Sequence, residues 1–251
     1  TAEAQYQTNG NAVQTACNCY RLTPAANGQS GSVWNVNLFD LSDPFNFTFD
    51  VYLGCNDGGA DGMAFVLQPL SINAGSTGGG IGYAGITPSL AVEMDTYVNA
   101  TDPNFDHIAL QTNGIVSHGG GNTLAGPVQT SASTGNVEDC AWHELNVMWD
   151  PVSQTMTISF DGVLRLSYTG DIINNIFGGN PNVYWGFTAA TGGANNLHQF
   201  CNALDPGFII TSPAQCIGLP TDFESNSTVA TGFVTDYQWD FGDGATGSGT
   251  Q

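Results

Sequence analysis

Apolar side chains recur along this chain with a period of two rather than the helical period near 3.6. The run Phe45, Phe47, Phe49, Val51, Leu53 alternates with polar residues and predicts a strand with one apolar face. Tyr20 and Leu22 open what reads as the first strand, after a polar segment rich in Gly, Asn and Gln. Met63 to Leu67 is continuously apolar and predicts a buried strand, entered through the turn Gly58-Gly59-Ala60-Asp61-Gly62. His143 to Trp149 and Thr155 to Phe160 predict a hairpin around Asp150-Pro151, and Asp161-Gly162 turns the chain into Val163 to Tyr168. Val183 to Ala190 predicts another strand. Gly119 to Asn136 reads as a loop with one short strand, and only Asp171 to Phe177 suits a helical turn. Many short strands, Gly-containing turns and almost no helix predict an all-β sandwich.

One stretch departs from the plain alternation. In Leu90 to Asp95, Val92 and Met94 fall on one side while Ala91, Glu93 and Asp95 fall on the other. Two carboxylates one strand step apart on the same face repel unless a positive charge lies between them. The following loop adds Tyr97, Asn99, Asp102, Asp106 and His107. Carboxylates, an amide and a carbonyl suit a hard divalent cation, and the imidazole suits a borderline transition metal beside it. The plainer reading is a solvated acidic hairpin loop. So much acid against an apolar strand, with no basic residue near it in sequence, favours metal.

Charge sharpens this picture. The 251 residues carry 22 acids against two basic residues, Arg21 and Arg165, for a net charge of −20. Phosphate recognition needs cationic side chains, so nucleic acid is excluded as a partner, and anionic membrane surfaces are disfavoured. No run of about 18 apolar residues exists to span a bilayer. No leader is visible, as in a mature secreted chain. Six cysteines (Cys17, Cys19, Cys55, Cys140, Cys201 and Cys216) fit an oxidising compartment better than a zinc site. Six allow about 15 pairings. The expected local clamp is Cys201 with Cys216.

Segments in a consistent order resemble the legume-type (L-type) lectins: ADGMAFVL at 60–67, the glycines 78–80, AVEMDTYVN at 91–99, DPNFDHI at 102–108, WHELNVMWDP at 142–151 and WGFTAATGG at 185–193. The resemblance implies a jelly-roll β-sandwich of the concanavalin-like lectin/glucanase type over residues 1–205. It implies that Glu93, Asp95, Asp102 and His107 hold a transition metal such as manganese, with Ser117 assisting the histidine. It further implies that Asp95, the Tyr97 carbonyl, Asn99 and Asp102 hold calcium, with Asp106 as the substitute ligand if the short loop is re-aimed. Asp61, after a cis peptide, would accept from two sugar hydroxyls and Asn99 would donate. A backbone N–H of Gly79 or Gly80 would add a donor, and the Tyr97 ring would stack on the sugar. The loop Gly192, Gly193, Ala194 would tune preference. His118, His143 and His198 read as structural.

Residues 206–220 read as a linker. Trp239 to Gly244, WDFGDG, resembles the start of a polycystic-kidney-disease (PKD) type β-module, so residues 221–251 read as a partial module. That implies a piece of a longer extracellular or cell-surface protein, or a half-module completed by self-association through strand addition.

Three functions compete. A secreted, calcium-dependent lectin would bind glycans for adhesion or matrix attachment. A structural filament or adhesin subunit would keep the fold without the sugar site. A jelly-roll glycoside hydrolase needs an acid and a nucleophile about 5 Å apart. Its strand pattern would place a second acid where Tyr97 or Val98 stands, so no enzyme is expected.

Overall fold

The computed structural model describes residues 6–16, 18–75, 80–99, 102–202 and six short strands beyond. In chain order the first unit contains β1 (Tyr6–Gly10), β2 (Val13–Ala16), β3 (Cys19–Thr23), β4 (Ser30–Asn35), β5 (Phe39–Asp40), β6 (Phe45–Tyr52), β7 (Gly62–Gln68) and β8 (Leu90–Asp95). It continues with β9 (His107–Thr112), β10 (Thr123–Gln129), β11 (Trp142–Asp150), β12 (Thr155–Phe160), β13 (Val163–Thr169), the single helical turn α1 (Ile172–Asn175), β14 (Asn182–Ala190) and β15 (His198–Asn202). The strands form two antiparallel sheets. One runs β1-β4-β14-β7-β8-β9-β10 with β5 also on β14, and the other runs β13-β12-β11-β6-β15-β3-β2.

The period-two pattern explains the layers. In β6, Phe45, Phe47, Phe49 and Val51 are buried while Asn46 and Asp50 are exposed; in β11, Leu145, Val147 and Trp149 point in while Glu144 and Met148 point out. Between the sheets Phe47, Phe49, Phe65, Trp185, Phe187 and Phe200 form a continuous aromatic spine, with ring centroids 4.3 to 6.4 Å apart. Each such side chain contributes about 1.5–3 kcal/mol by leaving water, which makes this spine the main support of the sandwich.

β7 and β8 are buried on both faces, which alternation alone does not explain. The outer face of their sheet is roofed by residues 71–75 and 80–89, whose Ile81, Tyr83 and Ile86 form a second apolar cluster with Trp34, Ala64, Val66 and Ala91. Backbone acceptors pin the roof down: Trp34 Nε1 donates to Ala74 O at 3.0 Å, and Thr188 Oγ1 donates to Ile81 O at 2.9 Å. At Gly82, with φ of +78°, an added Cβ would stand 2.8 Å from Thr188 Cβ and 2.9 Å from the Ala189 nitrogen, so only glycine lets the roof lie this close.

Several expectations are revised. Two strands precede Tyr20, and β4 and β9 are full strands the alternation did not pick out; His107 is therefore the first residue of a strand and not a loop ligand. Within 119–136 the strand is seven residues long. Cys201 pairs with Cys19, not with Cys216: the two face each other across β3 and β15, with Cα atoms 4.0 Å apart. A second disulfide joins Cys55 to Cys140. Cys17 and Cys216 lie outside the described residues.

Residues 202–251 form a separate unit with three strand pairs: Leu204–Asp205 with Thr228–Val229, Phe208–Ile210 with Phe223–Ser225, and Asp236–Asp240 with Thr246–Thr250. The last pair places Trp239 and Asp240 of the WDFGDG segment in a strand, and Phe241 to Gly244 lie outside the described residues.

Candidate functional site

Glu93 and Asp95 sit on the roofed face of β8, opposite the core side taken by Leu90, Val92 and Met94. Antiparallel register sets Asp95 against Gly62 on one side and His107 on the other, and sets Glu93 between Ala64 and Ala109. Small neighbours thus leave room around Glu93, while His107 shares its face. Glu93 is fully buried; Oε2 accepts from the Tyr83 hydroxyl of the roof and Oε1 has no hydrogen-bond partner.

The segment between β9 and β10 brings in a residue set aside as structural. Positive φ at Asn113 and Gly114 turns the chain after β9, and the turn lays His118 back over the sheet. His118 Nε2 lies 2.6 Å from His107 Nε2, 3.3 Å from Glu93 Oε1 and 3.8 Å from Asp102 Oδ1; His107 Nε2 lies 3.8 Å from Glu93 Oε1. Ser117, the expected helper, is exposed instead. One residue's difference decides this, and two adjacent loop positions carry no periodicity that would separate them.

Burial, then the Asp95 charge, holds the Glu93 carboxyl well above the usual carboxylate range. Asp95 is pushed up to about 8, chiefly by burial and further by Asp102 and Asp61, although its Oδ1 accepts from Tyr97 N–H at 2.8 Å. His107 is pushed down to about 4 by burial and then by His118, and burial lowers His118 as well. Neutral imidazoles offering lone pairs beside crowded carboxylates fit a divalent metal ion, which would favour every ionised acid here. The donor set therefore suits a divalent cation.

The rim beside this cluster is built from two turns. Asp102 Oδ2 accepts from Asn99 N–H at 2.8 Å, and Asp102 N–H donates to Asn99 O at 3.1 Å. The Asn99 amide reaches the Tyr97 carbonyl at 3.4 Å, and the Tyr97 ring is exposed. The structure thus brings Asp95, Tyr97, Asn99 and Asp102 together. Asp106 faces elsewhere: its carboxylate accepts from Val137 N–H at 2.7 Å, because it precedes His107 on the alternating strand.

Asp61 lies at the end of the loop before β7, after a cis Ala60–Asp61 peptide. Its N–H donates to Ala190 O of β14 and its carbonyl accepts from the N–H of Thr96, the residue after β8, so its backbone is clamped on both sides. The side chain is 6 % exposed, Oδ2 has no partner, and burial pushes the carboxyl up to about 6. Gly192 faces it, so that a Cβ there would lie 3.2 Å from Oδ2, while Gly193 has open space around it. The loop through Ala194 is docked by Gly28 N–H to Gly192 O at 3.1 Å. Gly80 accepts from Tyr83 and Ala84 N–H at the start of the roof; Gly79 lies outside the described residues.

Asn196 was not singled out by the sequence. It is 3 % exposed and donates to Asn56 O and to Glu138 Oε1, while Cys55 and Asn56 N–H donate to its Oδ1. It thereby holds the loop that leads to Asp61. His143 and His198 are structural as expected, bonded to Asp161 and Thr23.

Comparison with known proteins identifies the family of the first unit. The family model described as the legume lectin beta-barrel domain matches residues 1–204. The pesticidal crystal protein Cry22Aa of Bacillus thuringiensis is 29 % identical over 223 residues, 77 % of this chain and 31 % of that protein. The serine-rich adhesin for platelets of Staphylococcus aureus (strain MRSA252) is 28 % identical over 219 residues, 78 % of this chain and 16 % of that protein. The chain thus spans under a third of the length of these relatives. Among solved structures, a lectin from Bauhinia forficata in complex with GalNAc superposes with a TM-score of 0.61 at 25 % identity, over 80 % of this chain and 90 % of that one. Over residues 1–204 the chain belongs to the legume (L-type) lectin domain family, and it is a carbohydrate-binding domain rather than an enzyme.

Proposed function

We propose that this chain is a calcium-dependent glycan-binding module of a secreted or surface protein, serving adhesion or matrix attachment. The observation that carries the reading is the Asp61 carboxylate: buried, clamped by its backbone, with an unpartnered oxygen beside Gly192. A buried acceptor without a partner costs about 1–3 kcal/mol, and a sugar hydroxyl offers the missing donor.

In this reading Asp95, the Tyr97 carbonyl, Asn99 and Asp102 hold calcium, and Glu93, Asp95, Asp102 and His107 hold a transition metal such as manganese. The cations supply positive charge that keeps the acids ionised and the rim in one shape. The chain's own residues do the recognition. Asp61 accepts from two hydroxyls, the Asn99 amide is redirected from the Tyr97 carbonyl to donate to a third, and a backbone N–H of Gly79 or Gly80 donates beside them. The Tyr97 ring stacks on an apolar sugar face, and Gly192, Gly193 and Ala194 shape the wall that sets preference. Extracellular residence accords with the two disulfides and with the adhesin among the relatives. Residues 221–251, which carry the WDFGDG segment, would belong to a PKD-like module.

A glycan array read with calcium and again with EDTA tests the reading. Binding is expected in calcium only, and Asp61→Ala is expected to abolish it with the thermal transition retained. Unchanged affinity in Asp61→Ala would place the site elsewhere.

A further inference from the structure

We propose that His118 is itself a ligand at the transition-metal position, making it a two-imidazole site that selects zinc(II)-type borderline ions over manganese. This rests on the metal reading above and changes its chemistry. The resemblance assigns that position three carboxylates and one imidazole. The structure instead converges Glu93 Oε1, His107 Nε2 and His118 Nε2, all within 4.8 Å of one another.

The three atoms face one another. Glu93 Oε1 is buried with no hydrogen-bond partner, and the two Nε2 atoms nearest it face each other at 2.6 Å. The remaining ring nitrogens have their own environments. The Phe105 backbone hydrogen-bonds the His107 ring, and the Gln111 amide lies 2.8 Å from His118 Nδ1. Gln111 is fully buried and its Oε1 has no partner. The two ends of an amide are assigned by the bonds they make. With Oε1 toward His118, the amide accepts from Nδ1–H, satisfies its orphan oxygen and leaves Nε2 a lone pair. That is the usual outer support of a metal-bound histidine. In these tautomers neither Nε2 carries a proton, so the 2.6 Å contact that one Nε2–H would make a hydrogen bond becomes a lone-pair repulsion, which a shared cation between the rings and Glu93 removes. His118 side-chain exposure is only 4 %, so the ring is held over the site rather than swinging in solvent.

Imidazole suits zinc, copper, nickel and iron, whereas carboxylate and water suit manganese, magnesium and calcium. Exchanging an oxygen ligand for a second imidazole therefore moves the preference along that series. Zinc binds imidazole nitrogen and carboxylate oxygen alike at about 2.0–2.2 Å.

The test uses the full chain, stripped with chelator and reloaded with saturating calcium plus Zn²⁺, Mn²⁺ or Co²⁺ alone. Competition titration is expected to give at least tenfold tighter binding of Zn²⁺ than of Mn²⁺. His118→Ala and the size-conserving His118→Gln should each lower Zn²⁺ affinity at least tenfold, change Mn²⁺ affinity less than threefold, and alter the Co²⁺ visible absorption that reports nitrogen ligation. Zn²⁺ affinity within threefold of the original in both variants, or Mn²⁺ preferred by the unmodified chain, overturns the proposal. Sugar binding in calcium separates the two readings. If glycan binding persists while His118 proves irrelevant to Zn²⁺, only this inference fails. If His118-dependent Zn²⁺ binding occurs without any glycan binding, only the lectin reading fails.

Discussion

Replacing Asn196 with Ala tests whether the rim depends on one buried amide. Asn196 Nδ2 donates to Asn56 O at 2.9 Å and to Glu138 Oε1, and its Oδ1 accepts from Cys55 and Asn56 N–H, both at 3.3 Å. The glycines at 54 and 59 are packed so tightly on this side chain that a Cβ on either would stand 2.1 to 2.2 Å from it. Truncation leaves Glu138, itself 2 % exposed, without its amide donor, and leaves two N–H groups and a carbonyl in the same pocket. Above about pH 8, where the Glu138 carboxyl is ionised, its bond is worth about 1.5–3 kcal/mol and each of the three neutral bonds about 0.5–1.5, so the loss should be about 3–7 kcal/mol. In urea, with a slope near 2 kcal/mol/M, the midpoint should fall by about 1.5–3.5 M. In a Glu138→Gln background that bond is neutral, and the loss in the same buffer should shrink by about 1–1.5 kcal/mol. Because residues 54–61 carry Asp61, glycan affinity should fall as well. A loss below about 1 kcal/mol, or an equal loss in both backgrounds, would refute the view that Asn196 and Glu138 act as a unit.

The Glu138 carboxyl is held up to about 8 by burial first, then by Asp106, so the folded chain binds its proton more tightly than the unfolded chain, whose carboxyl titrates near 4.5. Stability from this group is therefore present below about pH 4.5 and lost as pH rises toward 8. Glu138→Gln should remove that slope, and the difference in unfolding free energy between the two proteins should change by about 2–4 kcal/mol across the window. Parallel pH profiles in chemical denaturation would count against it. Cys55 and Cys140 close a loop of 85 residues, and the double replacement Cys55→Ser/Cys140→Ser should cost about 2–4 kcal/mol in the same assay. An unmoved urea midpoint would mean the bridge constrains little.

The sequence carries the fold best where one face is buried and the other wet. Phe45 through Val51 and Leu145 through Trp149 alternate, and both are strands at those positions. It carries the fold worst at the edges and under the roof. β1 and β2 are edge strands whose residues are half-buried or exposed, with too few apolar positions to alternate, and β9 is buried on both faces. Glu93 and Asp95 were legible because two acids at i and i+2 on an apolar strand break the pattern. His118 was not, because its role depends on a loop returning over the sheet. Asn196 was not, because a buried amide looks like any loop Asn until its four partners are known. The Cys19–Cys201 pairing, across 182 residues, follows from register that no local signal encodes.

β8 carries both halves of the argument in alternate residues. Leu90, Val92 and Met94 face the aromatic core and gain free energy by burial, which fixes the register against β7 and β9 without help from any ion. Glu93 and Asp95, on the other face, are buried carboxylates whose ionised forms the fold opposes. A chain selected only for stability would place apolar residues there, as it does at Ala91 and Ala109. The same register that secures the sandwich therefore brings Asp95 opposite His107 and within the field of Asp61. The rigid inner face supplies the precision, and the disfavoured outer face supplies the affinity for whatever positive charge relieves it.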